Sequence, residues 1–386
     1  MSRFRISLIR ASGLALVLLA GLTACGASGG SATGTAYTRP ADATQLNTFE
    51  AKVAKGFAAS TAEQTQKPPT EGPKGVPGKR IFIVACPLAA EGCKRMSEAT
   101  KEAAQAIGWD ATIIDGKGDP SVGTAAIDRA VAAGANGVVG IALDAVTVAG
   151  ALTNAKSKGL FSVCAFCGNS DGETGLYDAI LPSVQSFAND GYNLGQALYT
   201  VGKGHVQQLM LTDPEFVDVV KRQEGNENFM KECEAAGGDC KIVARQQFLV
   251  SELATNVPTK VAAAVRQHPN FNILWAPYDD ALVFALQGLQ QAGLSGGDRW
   301  GAGFDANTPS VDRIRSGGDE KASVGLPGIW IGYALVDQLN RLFAGQRPVE
   351  QNVKTKVLVQ ANVPSSGPWD GDIDVRPLYK KLWGIG

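Results

Sequence analysis

From Lys79 onward, short β-branched runs alternate with stretches whose apolar residues recur at helical spacing, the pattern of strands joined by crossover helices. Arg80-Ile81-Phe82-Ile83-Val84-Ala85 reads as a strand buried on both faces, and residues 96–107 read as a helix presenting Met96, Ala99, Ala103, Ala106 and Ile107. Ala111-Thr112-Ile113-Ile114-Asp115 is the next strand. Asp119-Pro120 then opens a helix to Val131, with Asp119 as cap and Pro120 at the first helical position, where a missing N–H costs nothing. Gly137-Val138-Val139-Gly140-Ile141, a helix over 146–157 and Leu160-Phe161-Ser162-Val163 complete a first series. After Leu181-Pro182 the alternation restarts, with helices expected over 184–201, 217–236, 258–267 and 280–292 and strands over 206–211, 241–248, 272–276 and 300–304. A strand near Ser323-Val324-Gly325-Leu326, a helix over 329–343 and a late strand Val357-Leu358-Val359 follow. The expected fold class is α/β, with two doubly wound units whose parallel sheets are covered on both faces.

The chain before Lys79 has a different pattern. Arg3, Arg5 and Arg10 precede an uncharged stretch over 11–24, shorter than the roughly 20 residues a spanning helix needs, so residues 1–24 read as a secretory signal. That stretch ends in Leu22-Thr23-Ala24-Cys25, which resembles the bacterial lipobox, and a palmitate-type acyl chain on Cys25 is expected to hold the protein on the membrane. Residues 25–77 read as tether and linker: Gly26-Ala27-Ser28-Gly29-Gly30-Ser31 cannot bury enough surface to offset its ordering entropy, and Pro68, Pro69, Pro73 and Pro77 favour extended chain. Within this stretch Leu46, Phe49, Val53 and Phe57 share one face of a short helix.

Composition narrows the function. A net charge of −1 gives no basic face for nucleic acid, and the two histidines, His205 and His268, lie far apart. The chain from 78 onward exceeds what one core usually serves, so two lobes are expected. Seven cysteines divide into Cys25 and six others, which in an exported chain read as disulfides. Pairing of nearest neighbours, Cys86 with Cys93, Cys164 with Cys167 and Cys233 with Cys240, closes the shortest loops. The alternatives are a redox pair at Cys164 and Cys167, or a four-thiolate zinc site with Cys86 and Cys93; disulfides are preferred, and no metal or cofactor is expected. Gly168-Asn169-Ser170-Asp171-Gly172 satisfies G-x-S-x-G, yet no amphipathic helix follows, so Ser170 is not read as a nucleophile. Gly301, Gly303 and Ala306 fit a dinucleotide fingerprint, but the glycines lie in the strand itself. No catalytic residue is expected, and the chain is read as a binding protein and not an enzyme.

Several phrases resemble the type I periplasmic binding protein family, in its ribose-like sugar-binding branch: Gly78-Lys79-Arg80-Ile81, the run from Asp115 to Pro120, the stretch 271–281, and Gly301-Ala302-Gly303-Phe304-Asp305. The resemblance implies two lobes joined by a three-segment hinge, with residues 78–181 plus 327–346 in one and 182–326 plus 347–386 in the other. It also implies a monomer that carries a small molecule, a sugar, polyol or related compound, to the permease of an ABC importer. A sensory component of a membrane signalling system is the alternative role, with an exported thiol-disulfide or metal-binding protein behind it.

Ligands of open α/β sheets bind beyond the carboxyl ends of the strands. Those ends carry Leu88, Asp144, Phe166, Tyr278, Asp279, Asp305 and Asn307. In the family the position of Asp305 supplies a carboxylate to ligand hydroxyls. Phe166, Tyr278 and Trp330 are the candidate stacking residues, whereas Trp275 inside its apolar strand is read as core. The chain departs from its sugar-binding relatives at Phe166-Cys167, Tyr278-Asp279 and Leu326-Pro327, and the second-lobe arginine has no secure equivalent beyond the nearby Lys221 and Arg222. Fewer charges and more aromatic surface imply a ligand with an apolar or planar face.

Overall fold

The computed structural model describes residues 37–168 and 175–385. The signal segment, Cys25 and Ser170 lie outside the described residues. After α1 (Thr44–Thr61), a first series runs β1 (Arg80–Ala85), α2 (Glu91–Ala106), β2 (Asp110–Asp115), α3 (Pro120–Ala132), β3 (Gly137–Ile141), α4 (Ala149–Ser157), β4 (Phe161–Ala165) and β5 (Ala179–Leu181). The second runs α5 (Val184–Val201), β6 (His205–Thr212), α6 (Val217–Ala235), β7 (Asp239–Gln247), α7 (Val257–Gln267), β8 (Ile273–Trp275), α8 (Asp279–Gln291), β9 (Trp300–Asp305), α9 (Thr308–Arg315) and β10 (Glu320–Gly325). The chain closes with α10 (Gly328–Phe343), β11 (Lys356–Val359) and α11 (Arg376–Trp383).

The first lobe is built on a parallel sheet of order β2-β1-β3-β4-β5. The second is built on β11-β10-β9-β8-β6-β7, parallel except for the antiparallel β11. Alternation along each strand assigns its two faces. Ile81 and Ile83 enter one core while Phe82 and Val84 enter another, and Met210 and Leu211 diverge in the same way in the second lobe. Helices therefore cover both faces of both sheets. Trp275 is fully buried, as its strand position implies.

Chain crossings between lobes lie at 181–184, 325–328 and 343–356, the three expected segments. The helix α10 belongs to the first lobe because Gly332 lets it approach α2 closely: a Cβ there would lie 2.5 Å from the backbone N of Thr100.

Two differences from the sequence expectation concern the chain ends. Within the expected tether, α1 is seated on the second lobe by Leu46, Phe49 and Val53, all buried, with the Phe49 ring 5.4 Å from that of Tyr199. Burying each such side chain contributes about 1.5–3 kcal/mol, enough to dock a short helix. Residues 62–79 then cross to the first lobe as a hydrogen-bonded strap: the Gln64 N–H donates to Asp372 at 2.8 Å, Arg341 donates to the Glu71 carbonyl at 2.7 Å, and the Trp109 indole donates to the Val76 carbonyl at 2.6 Å. The prolines remove strap N–H groups, so its carbonyls take donors from first-lobe side chains, while the Gln64 N–H finds an acceptor on the second lobe. At the other end, α11 returns to the first lobe, whereas the stretch 347–386 was expected on the second. Trp383 stacks on Tyr333 at 5.8 Å and donates to Asp337 at 2.9 Å. No described helix is long and apolar enough to cross a membrane.

Candidate functional site

A cavity of about 490 Å³ opens where the carboxyl ends of the two sheets face each other. The first lobe contributes Cys86, Pro87, Cys93 and Met96 from β1 and α2, then Ala142 after β3 and Phe166 after β4. The second contributes Phe216, Asp218, Val219 and Arg222 from the start of α6, Val250, Ser251, Leu253 and Ala254 after β7, Tyr278, Asp280 and Phe284 around the start of α8, Asp305 at the end of β9 and Leu326 after β10. Four wall residues that are not glycine adopt positive φ: Lys117 at 56°, Ala142 at 46°, Phe166 at 55° and Asp305 at 101°. Such backbone costs of order 1–3 kcal/mol per residue and persists where surrounding structure holds a side chain in a useful direction.

Asp305, Arg222 and Asp218 form the polar centre. The Arg222 guanidinium lies 3.5 Å from Asp305 and 3.3 Å from Asp218, and donates to the Pro277 carbonyl at 2.9 Å. Its plane also covers Phe304 at 4.9 Å and Phe166 at 5.9 Å, so one cation touches aromatic rings of both lobes. Burial raises the Asp305 carboxyl above its usual range, against the opposing pull of Arg222 and Arg95. Burial likewise pushes Asp218 up to about 6, despite Arg222. Lys221, the neighbouring candidate cation, pairs with Glu224 at 2.8 Å instead.

The sequence candidates divide. Phe166, Tyr278 and Asp305 reach the cavity wall. The Tyr278 hydroxyl donates to Asp213 at 3.0 Å, fixing its ring, and burial raises Asp213 to about 7. Asp279 lies behind the wall, fully buried, accepting from the Asn307 N–H at 2.9 Å and the Ser323 hydroxyl at 3.0 Å; burial and the charges of Glu320 and Asp305 raise it well above the carboxylate range. Gly303 makes room for it, since a Cβ there would sit 2.6 Å from Asp279 Oδ1. The glycines of the apparent dinucleotide fingerprint are thus packing glycines within β9.

Asn307 is buried and accepts from Arg95 at 3.1 Å, joining the lobes outside the cavity. Leu88 is half-buried, its N–H held by Asp115 at 3.1 Å, and its neighbours Pro87 and Ala89 line the cavity in its place. Trp330 is fully buried in the first-lobe core, because the opening turn of α10 aims it inward and not at the cleft. Asp144 borders a smaller side cavity of about 180 Å³ that shares Cys86, Ala142 and Phe216 with the main one.

Asp144 instead spans the lobes, accepting from the Gly168 N–H at 3.2 Å and the Val217 N–H at 3.0 Å. Burial pushes it up to about 7, outweighing the two N–H groups that favour its ionised form. Glu91 does the same elsewhere, accepting from the Thr308 N–H at 3.0 Å and its hydroxyl at 2.7 Å. The sequence reading did not select Phe216, at the N-cap of α6, or Asp218, Asp280 and Phe284, on helices; nothing along the chain fixes how a helix is rotated about its axis relative to a cleft.

All three cysteine pairs are disulfides joining nearest neighbours, with Cα separations of 5.6, 6.2 and 5.9 Å for Cys86–Cys93, Cys164–Cys167 and Cys233–Cys240. The first lines the cavity. Those sulfurs are occupied in pairs and are not gathered as four thiolates.

Two hinged α/β lobes enclosing a cavity between strand ends define a class of proteins that close around a small solute. Residues 82–347 match the family described as the periplasmic binding protein domain, and this chain belongs to it. Solved structures with the same fold include a galactofuranose-binding protein, with TM-score 0.63, 15% identity and coverage of 80% of this chain and 99% of that one. They also include the 5-methylthioribose transporter solute-binding protein of Thermotoga lettingae TMO, with TM-score 0.63, 17% identity and coverage of 77% and 89%. A third is the Caulobacter myo-inositol binding protein, with TM-score 0.64, 18% identity and coverage of 75% and 96%. At these identities the likeness establishes the fold, that of sugar- and polyol-binding solute-binding proteins of ABC transporters. No curated protein matches.

Proposed function

We propose that this chain is an extracytoplasmic solute-binding lipoprotein, anchored to the bacterial cell membrane by acylation of Cys25, that captures a small molecule of sugar or polyol size and delivers it to the permease of an ABC importer. The single observation that carries this reading is the cavity between the strand ends of two lobes, walled by Asp305, Arg222, Phe166 and Tyr278. Family membership and the sugars and polyols bound by structural neighbours support the class of solute. The protein acts as a monomer, makes no covalent change in its cargo and needs no cofactor. Closure around the solute is the signal it presents to the importer.

The test is a thermal-shift screen over sugars, polyols, nucleosides and small aromatic compounds. A ligand that binds only the folded chain raises its melting temperature by mass action. Asp305→Ala abolishes that shift while remaining folded. A screen in which nothing stabilises the parent, or turnover of a captured compound, contradicts the proposal.

A further inference from the structure

The polar groups of the cavity are unbalanced. A neutral sugar hydroxyl both donates and accepts, so a site for one needs donors as well as acceptors. Here three carboxylates, Asp218, Asp280 and Asp305, face the cavity against the single buried cation Arg222, while Lys117 is exposed at the rim. Arg222 donates to the Pro277 carbonyl and pairs with Asp218 and Asp305, and its Nε, though without a hydrogen-bond partner, is enclosed away from the cavity.

The acceptors are not spent. Asp218 is buried, and its Oδ1, enclosed like Arg222 Nε, has no hydrogen-bond partner, so it adds negative charge behind the wall. The Asp280 carboxylate makes no hydrogen bond or ion pair among the described residues; burial and the charges of Asp305 and Glu91 push it up to about 7. The same cavity is walled by the aromatic residues Phe166, Phe216, Tyr278 and Phe284, whose faces attract a cation as well as an apolar body.

We infer that the solute carries a protonated amine on a ring of monosaccharide size, with the ammonium seated against Asp280 and the ring held between the aromatic walls. The inference rests on the solute-binding reading and narrows its ligand class. An ammonium is a donor-only group and meets acceptor-only carboxylates without leaving any of its own hydrogen-bonding capacity unpaired. Amino sugars and carbocyclic amines share this chemistry.

Titration calorimetry with matched pairs tests it at constant pH: glucosamine against glucose, galactosamine against galactose, and cyclohexylamine against cyclohexanol, with N-acetylglucosamine as the charge-neutralised control. The expected result is that the amine binds at least about tenfold more tightly than its hydroxyl partner in one or both series, and that N-acetylation removes the gain. The series in which this occurs tells amino sugar from carbocyclic amine. Asp280→Asn erases the preference without lowering the melting temperature, and Asp280→Glu, which keeps the charge, retains it. Binding of the neutral members as tightly as the amines, or an amine preference that survives Asp280→Asn, overturns the inference and leaves the solute-binding reading standing. Failure of every compound to bind counts against both.

Discussion

Asp144, in the loop after β3 of the first lobe, accepts a 3.0 Å hydrogen bond from the backbone N–H of Val217, the first residue of α6 in the second lobe. The N-cap residue of α6, Phe216, offers no side-chain acceptor, and neither does Asn307 to α9, where Glu91 takes the same part through Thr308. Two carboxylates of one lobe thus complete the helix ends of the other. Each supplies an acceptor where unpaired N–H groups and the helix dipole favour negative charge.

Removing these caps should loosen closure locally. Loss of an N-cap acceptor costs about 0.5–2 kcal/mol, so hydrogen exchange of the amides at the start of α6 should accelerate roughly 2- to 30-fold in Asp144→Ala. Glu91→Ala should do the same at the start of α9, and each variant should leave the other helix unaffected. Peptide-resolved hydrogen–deuterium exchange reads both.

Asp305 is held at φ 101° and its buried carboxyl is raised by desolvation. Glycine adopts that backbone freely, so Asp305→Gly should relieve strain of about 1 kcal/mol or more and raise the melting temperature of the unliganded protein at pH 7.5. The same variant should lose solute binding. A fall in stability would show that the Arg222 pair outweighs the strain.

Stability should depend on pH in a stated direction. Burial raises Asp144, Asp213 and Asp280 to about 7, and Asp190 and Asp218 to about 6. A carboxyl whose folded pKa lies above its unfolded value contributes stability that is complete below the unfolded value and is lost as the pH rises through the folded one. Carboxyls held low by partners, such as Glu102 beside Arg376 and Glu252 beside Lys260, change charge below the window of interest. The unliganded protein should therefore melt at least about 3 °C higher at pH 5.5 than at pH 8, as calorimetry would record.

The disulfides should separate into two kinds. Cys233–Cys240 joins the end of α6 to β7 across a short loop, and replacing both residues with Ala should cost roughly 2–3 kcal/mol in the chain-entropy model while leaving solute affinity unchanged. Cys86–Cys93 spans a loop of the same length but forms part of the cavity wall, so the equivalent double variant should lower affinity as well as stability. Chemical denaturation and titration of each variant check the difference.

Much of this was legible in the sequence because strands announce their ends. Short β-branched runs punctuated by Gly, Pro and Asp located the carboxyl edges, and with them Phe166, Tyr278 and Asp305 at the cavity. Cysteine spacing gave the three pairs. The edge residues Asp144 and Asn307 were located equally well, but sequence could not show that they bridge the lobes and do not line the cavity. Trp330 and Arg222 illustrate the other limit: both sit in the first two turns of helices, and only packing decides that one points into a core and the other into the cleft. Docking of α1 and the return of α11 depend on long-range apolar contacts that local pattern does not encode.

The central claim, that the lobes close on a solute held at Asp305, is tested most directly by small-angle X-ray scattering of the purified protein with and without a saturating ligand identified in the thermal-shift screen. The radius of gyration should fall on saturation in the parent and stay unchanged in Asp305→Ala at the same ligand concentration. An unchanged radius in the saturated parent, or an equal fall in the variant, would contradict it.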